Sequence, residues 1–326
     1  MRASSRKIID FRNRPPLQPY KGLFDLKNNV LMKSNMIIKN LPANTSSLCI
    51  DMVGKGMVGT PEVMEEWWKE IDEAGIDAVV VNGRYVGGLA DFTMDNDTLA
   101  GLQDQHPTRF FGLSQVNLDQ NPDKTAREVE RAIKEQGMPG ANLEPGYETI
   151  GLGKMGTYTD DPSFWPILEV LSDAGAFLLI QTGLFAGTDI SFNNPEALDR
   201  MLSSFPKLNV VLAHGGYPYI QEVLGLAAKW PQLHISADVY MFWPNGFLYA
   251  MNLERIPEQL VFGSAFPFAN MKTAVDETLK LQEQYHISDA TMERYLYSNA
   301  ARLLKVERGG SPAAVSLVGH GIKEEK

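Results

Sequence analysis

The chain has 326 residues, a formal net charge of −10 and a single cysteine, Cys49, so an intramolecular disulfide is excluded. Its acidic balance, with no basic run, argues against nucleic acid and anionic membrane as partners. No apolar stretch reaches the ~18 residues of a membrane span and the first ten residues carry no apolar signal core, so a soluble cytoplasmic protein is expected.

In chain order, short β-branched or apolar runs alternate with longer helical patterns. Strands are expected at 7–12, 78–82, 110–115, 140–144, 177–181, 209–213, 234–237 and 259–262. Helices are expected at 61–74, 95–106, 122–136, 164–174, 195–205, 219–229, 247–253 and 270–284. Apolar residues recur there at three- and four-residue spacing, as in Leu198, Met201, Leu202 and Phe205. Thr60 before Pro61, and Asn194 before Pro195, read as helix starts: a polar cap, then proline in the first turn.

Strand–helix units repeated in this order predict an α/β fold, a single-domain (β/α)8 TIM barrel spanning 1–306. Its rival, a doubly wound open sheet, normally shows a glycine-rich first turn, and none follows the first strand. Two stretches fall outside the repeat. Residues 15–59 read as a long inserted loop after the first strand, with a short helix near 22–32, and 307–326 read as a flexible or subunit-crossing tail.

Four segments stand out along this frame. They are Ile8-Ile9-Asp10-Phe11-Arg12-Asn13-Arg14, Leu212-Ala213-His214-Gly215-Gly216, Leu260-Val261-Phe262-Gly263-Ser264-Ala265-Phe266-Pro267-Phe268, and Ser298-Asn299-Ala300-Ala301-Arg302-Leu303-Leu304. Their ordered combination, from about residue 7 to 305, resembles the amidohydrolase-related branch of the amidohydrolase superfamily. That branch contains aminocarboxymuconate-semialdehyde decarboxylase, resorcylate decarboxylases, oxalomesaconate hydratase and pyrone-dicarboxylate lactonase.

The resemblance implies a barrel whose mouth holds a divalent metal on Asp-x-His-x-His, a histidine ending the fifth strand and an aspartate in Gly-Ser-Asp-x-Pro. This chain departs from that pattern. Arg12 and Arg14 stand at the first two histidine positions, Gln181 at the third and Ala265 at the aspartate; His214 alone is kept. A guanidinium has no lone pair and a fixed positive charge, so no metal and no other cofactor is expected.

Arg12 and Arg14 lie at alternate positions of the first strand, which sends both to one face, the barrel interior at its C-terminal mouth. Two buried guanidinium groups need anions. Either Glu144 and Asp238, at neighbouring strand ends, pair with them, or a substrate carboxylate or developing oxyanion does. Both can hold, one arginine each.

His214 reads as a general acid or base, or as a relic held by hydrogen bonds. Glu144 and Asp238 are candidate bases or salt-bridge partners. Gln181, Asn82 and Ser264 are candidate substrate contacts, and Arg84 either holds a second carboxylate or faces solvent. Tyr240, Phe242, Trp243 and Phe247 either wall the pocket against a planar substrate or pack loop on helix, while at least one of Trp67 and Trp68 is expected in outer-ring packing and neither has a chemical role.

The expected function is a metal-independent hydrolase of a small carboxylated, lactone-like compound, in which arginines hold the carboxylate and His214 is the acid/base. The alternatives are a metal-independent lyase on a similar acid and a non-catalytic binding protein. Ala265 weighs against the lactonase chemistry, which needs a water-activating carboxylate there. Relatives are often dimers, so a homodimer is also expected.

Overall fold

Seven parallel strands follow one another round a sheet in sequence order. They are β1 (Ile9–Asn13), β2 (Ala78–Asn82), β3 (Phe110–Gln115), β4 (Gly140–Leu143), β5 (Phe177–Gln181), β6 (Asn209–Ala213) and β7 (Leu233–Ser236). The computed structural model describes residues 6–24, 47–85, 93–117, 121–146, 156–184 and 189–306.

The eighth expected strand is present as an extended segment with one bridge, Leu260 to Ile235. Its backbone closes the ring. Val261 donates to the carbonyl of Ile235 at 3.0 Å on one side, and Phe11 donates to the carbonyl of Phe262 at 2.9 Å on the other. The chain therefore forms a single-domain TIM barrel.

Eight helices surround it: α1 (Pro61–Glu73), α2 (Asn96–Gln105), α3 (Pro122–Lys134), α4 (Trp165–Ala174), α5 (Pro195–Ser204), α6 (Ile220–Lys229), α7 (Phe247–Asn252) and α8 (Met271–Gln284). The two proline-marked starts are capped as their sequence implies. Thr60 accepts from the Val63 amide and Asn194 from the Glu196 amide. The loop after β1 holds short helices at Lys21–Phe24 and Leu48–Gly54. The second was not legible in the sequence. The rest of the helix expected near 22–32, and the tail 307–326, lie outside the described residues.

Alternation along the strands divides the core in two. Ile9, Phe11, Val80, Leu113, Leu179, Val211 and Val261 pack together inside the barrel. Val79, Val81, Leu178, Ile180, Val210 and Leu212 pack outward against helix residues such as Val63, Trp67 and Ile71. Each fully buried side chain of this kind contributes ~1.5–3 kcal/mol.

One irregularity decides the chemistry of the mouth. Asp10 pairs with Val79 and Asn13 with Val81, so three steps of β1 face two of β2. The extra residue interrupts the two-residue alternation. Phe11 points into the barrel, its ring 5.4 Å from that of Phe177. Strict alternation would send Arg12 to the opposite face. Instead Arg12 also turns inward, to the ends of β6 and β7.

Candidate active site

The end of β6 is built as a tight left-handed turn. His214, Gly215 and Gly216 have φ of 59°, 65° and 70°. A side chain is disfavoured there, which explains the glycine pair. Thr182, just past β5, clamps the turn: its hydroxyl donates to the Ala213 carbonyl at 2.6 Å and accepts from the Gly216 amide at 3.1 Å. Tyr249 of α7 donates to the Gly215 carbonyl at 2.9 Å.

The turn brings His214 to Arg12 and Asp238. Arg12 Nη2 lies 2.9 Å from His214 Nε2. A guanidinium can only donate, so Nε2 accepts and the imidazole proton sits on Nδ1. From there it is given to Asp238 Oδ1 at 3.1 Å, while the His214 amide donates to Asp238 Oδ2 at 3.1 Å. Arg12 Nε faces the same carboxylate at 3.4 Å, with both side chains fully buried.

The electrostatics agree with this assignment. Burial pushes the His214 pKa down, against the pull of Asp238, so the imidazole is neutral. For Asp238, burial pushes upward, but His214, Arg12 and Arg14 together hold its carboxyl below the ordinary range. Burial pushes Arg12 down, with Asp238 and Glu144 opposing.

Arg14 comes to the same mouth without such support. Among the described residues it has no carboxylate within ion-pair distance; Asp238 is paired with Arg12, and Glu144 faces Arg84 at 3.6 Å. Its guanidinium lies over the Phe268 ring at 5.5 Å, and its Nη1 has no hydrogen-bond partner. Burial, with Arg12 and Arg84 nearby, pushes its pKa down to about 9. The direction is that of a buried cation short of a counter-charge.

The remaining polar groups form a chain along the neighbouring strand ends. Gln181 donates to Asn142 at 2.9 Å, and Asn142 donates to the Gly83 carbonyl at 2.8 Å and to Glu144 at 3.2 Å. Asn82 is buried and its Oδ1 has no partner, as is also true of Arg12 Nη1. Tyr20, from the long loop, donates to the Asn82 carbonyl. Burial pushes its phenol pKa up while Arg14 and Arg84 pull it down.

Two of the expected contacts are placed differently. Ser264 is spent on the scaffold: it donates to Asp10 Oδ2 at 2.6 Å and accepts from the Phe266 amide at 3.0 Å. Asp10 also accepts from the amides of Arg12 and Ser264, so the pair joins β1 to the eighth segment. The aromatic group is Tyr217, Tyr240 and Trp243. Tyr217 stacks on Tyr240 at 4.8 Å, and Tyr240 lies 5.0 Å from Trp243 and 5.6 Å from the His214 ring. Phe247 stays 45% exposed.

Sequence reasoning brought Arg12, Arg14, His214, Asp238, Glu144, Arg84, Asn82 and Gln181 to one end of the barrel, and the structure gathers them there. It missed Tyr20, Tyr217, Asn142, Thr182 and Phe268. Tyr217 and Thr182 stand next to quoted segments and a strand end, and could have been found. Tyr20 lies in a loop with no periodic signal.

The residues present do not fit a divalent cation. Arg12 brings a positive charge to the place, the His214 lone pair accepts from that arginine, and Asp238 is shared by both. Among the described residues no three of His, Cys, Asp and Glu gather as a ligand set. A guanidinium supplies charge and hydrogen-bond donors instead, which suit a carboxylate or an enolate.

A family model described as Amidohydrolase matches residues 72–306. A gamma-resorcylate decarboxylase of a Polaromonas species is 24% identical over 287 residues, covering 73% of this chain and 86% of that protein. A 2-amino-3-carboxymuconate-6-semialdehyde decarboxylase of Dictyostelium discoideum is 33% identical over 247 residues, covering 65% of this chain and 66% of that protein. Among solved structures, an uncharacterized TIM-barrel protein from Bordetella bronchiseptica is 28% identical, with a TM-score of 0.76 over 92% of this chain and 99% of that one.

Proposed function

The chain belongs to the amidohydrolase family, and from that premise we propose that it is a metal-independent lyase, a decarboxylase of a small planar carboxylic acid. The observation that carries the reading is Arg14, a buried guanidinium with an unpartnered Nη1 and, among the described residues, no carboxylate at ion-pair distance. The names of the two curated relatives support decarboxylation over the hydrolysis that the sequence first suggested. The alanine at position 265 also leaves no carboxylate there to activate water.

In this reading Arg14 receives the substrate carboxylate. Arg12, held by His214 and Asp238, directs its Nη1 to the oxygen on which charge develops. A proton from solvent adds to the carbon that bears the carboxylate. The carbon–carboxylate bond then breaks, its electron pair restores the conjugated skeleton, and carbon dioxide leaves. Tyr217, Tyr240 and Trp243 supply a flat apolar wall beside the site.

The test is carbon dioxide release from 2,6-dihydroxybenzoate and from 2-amino-3-carboxymuconate 6-semialdehyde, with and without a strong chelator. Release that survives chelation and falls at least ~100-fold in Arg14→Ala supports the proposal. Release that needs added zinc or manganese overturns its metal independence. Binding of these acids without release would point to the non-catalytic alternative.

A further inference from the structure

We infer that His214 is a positioning residue, which aims Arg12 into the barrel mouth and does not itself carry the proton of the reaction. The inference rests on the lyase reading for the task of Arg12, but its geometry stands by itself.

Both imidazole nitrogens are occupied. Nε2 accepts from Arg12 at 2.9 Å and Nδ1 donates to Asp238 at 3.1 Å. Asp238 in turn faces Arg12 Nε at 3.4 Å, so the three side chains close a triangle. The ring is also boxed in. A Cβ at Gly183 would come within 2.8 Å of the His214 Cβ, and the Tyr240 ring meets the imidazole edge-on at 5.6 Å. The backbone amide of His214 is tied to the same carboxylate.

A proton carrier needs a lone pair that can reach the substrate. Here the lone pair points at a group that can only donate. To accept a proton, Nε2 would first have to release Arg12. The imidazolium so formed would then face Arg12 and Arg14, two cations in a buried site, with Asp238 as the one carboxylate among the described residues that acts on all three. The same contacts serve positioning well. Arg12 gives Nη2 to His214, holds Nε at ion-pair distance from Asp238, 3.4 Å, without a hydrogen bond, and leaves Nη1 without a partner. The guanidinium plane is thereby set before substrate arrives, the preorganisation that electrostatic stabilisation requires.

Two measurements test this. The first is long-range 15N–1H NMR of the histidine-labelled wild type at neutral pH, with the His214 signals assigned by comparison with His214→Gln. A neutral ring protonated on Nδ1 is expected. A ring protonated on Nε2, or an imidazolium, would overturn the inference, and this readout needs neither ligand nor turnover.

The second compares His214→Gln with His214→Ala. Glutamine offers one acceptor and one donor but cannot shuttle protons. Benzoate is the probe for binding, and carbon dioxide release is followed in parallel. His214→Gln should keep benzoate affinity and release within about threefold of wild type, while His214→Ala weakens both by about tenfold or more. A His214→Gln variant that binds benzoate normally yet loses release over ~1000-fold would make His214 the proton carrier and sink the proposal. Wild type that binds benzoate but releases no carbon dioxide from either acid overturns the lyase reading alone. Wild type that fails to bind benzoate removes the anion site, and the NMR result then decides the positioning claim.

Discussion

Gly263 lies against Arg12 so closely that a Cβ added to it would come within 2.7 Å of the arginine Cγ. The same added atom would meet Ser236 Oγ at 2.8 Å. The glycine before Ser264 therefore makes room for the stem of the Arg12 side chain. Gly263→Ala should push Arg12 off His214. Overpacking of this kind costs ~1–3 kcal/mol, read as a lowered Tm, and benzoate affinity should fall with it. Unchanged affinity and Tm would mean that Arg12 has slack which the structure does not show.

The two arginines should respond oppositely to removal. Arg12→Ala leaves Asp238 buried with half of its partners gone, and breaking a buried pair costs ~3–5 kcal/mol. Among the described residues Arg14 has no carboxylate to abandon, so Arg14→Ala should change the stability of the free protein little, or raise it. Ligand reverses the ranking: at one hundred times the dissociation constant, an acid stabilises wild type by about 2.7 kcal/mol, and Arg14→Ala should lose that gain. Chemical denaturation with and without benzoate measures both effects. Equal destabilisation by the two variants in the absence of ligand would contradict the assignment of carboxylates.

The histidines set an acid limb to stability. Burial pushes His234 from 6.5 down to about 4 and also lowers His214. Each binds a proton less readily in the folded chain than in the unfolded one. Their contribution is therefore complete above about 6.5 and is lost as pH falls, through about 4 for His234. For His234 the loss is on the order of 3 kcal/mol, so His234→Gln should flatten the stability profile between pH 6.5 and 4.5. A profile with the same slope in the variant would place the titration elsewhere.

Tyr20 ties the long loop to the site by donating to the Asn82 carbonyl. Tyr20→Phe leaves that buried carbonyl without this donor, at a cost of ~1–3 kcal/mol. Because Asn82 Oδ1 is one of the unpartnered acceptors of the mouth, the substitution should also raise the dissociation constant for 2,6-dihydroxybenzoate. The contrast with benzoate, which has no hydroxyl to offer Asn82, checks whether the effect passes through that side chain.

Much of the barrel was legible because its signals are local. Apolar spacing marks the outer helices, and cap–proline pairs at Thr60 and Asn194 mark their starts to the residue. The eighth strand was expected at 259–262, and the segment is there, but a single bridge at Leu260 shows how little regular pairing closure requires. The site was legible as a set of residues at strand ends, since parallel strands deliver their C-terminal residues to one mouth. The reason given for Arg12 was not sufficient, because alternation fails across the irregularity between Asp10 and Asn13.

What the chain's sequence alone determined is the kind of charge in the mouth: guanidinium groups at 12 and 14, a carboxamide at 181, an alanine at 265 and one kept imidazole at 214. Tertiary structure decided who pairs with whom. Arg12 and His214 are 202 positions apart in sequence and 2.9 Å apart in space, and Asp238 went to Arg12 while Glu144 faced Arg84. Coulomb energies and hydrogen bonds change over fractions of an ångström, and those fractions are set by barrel closure and one extra residue in β1, which no local pattern records.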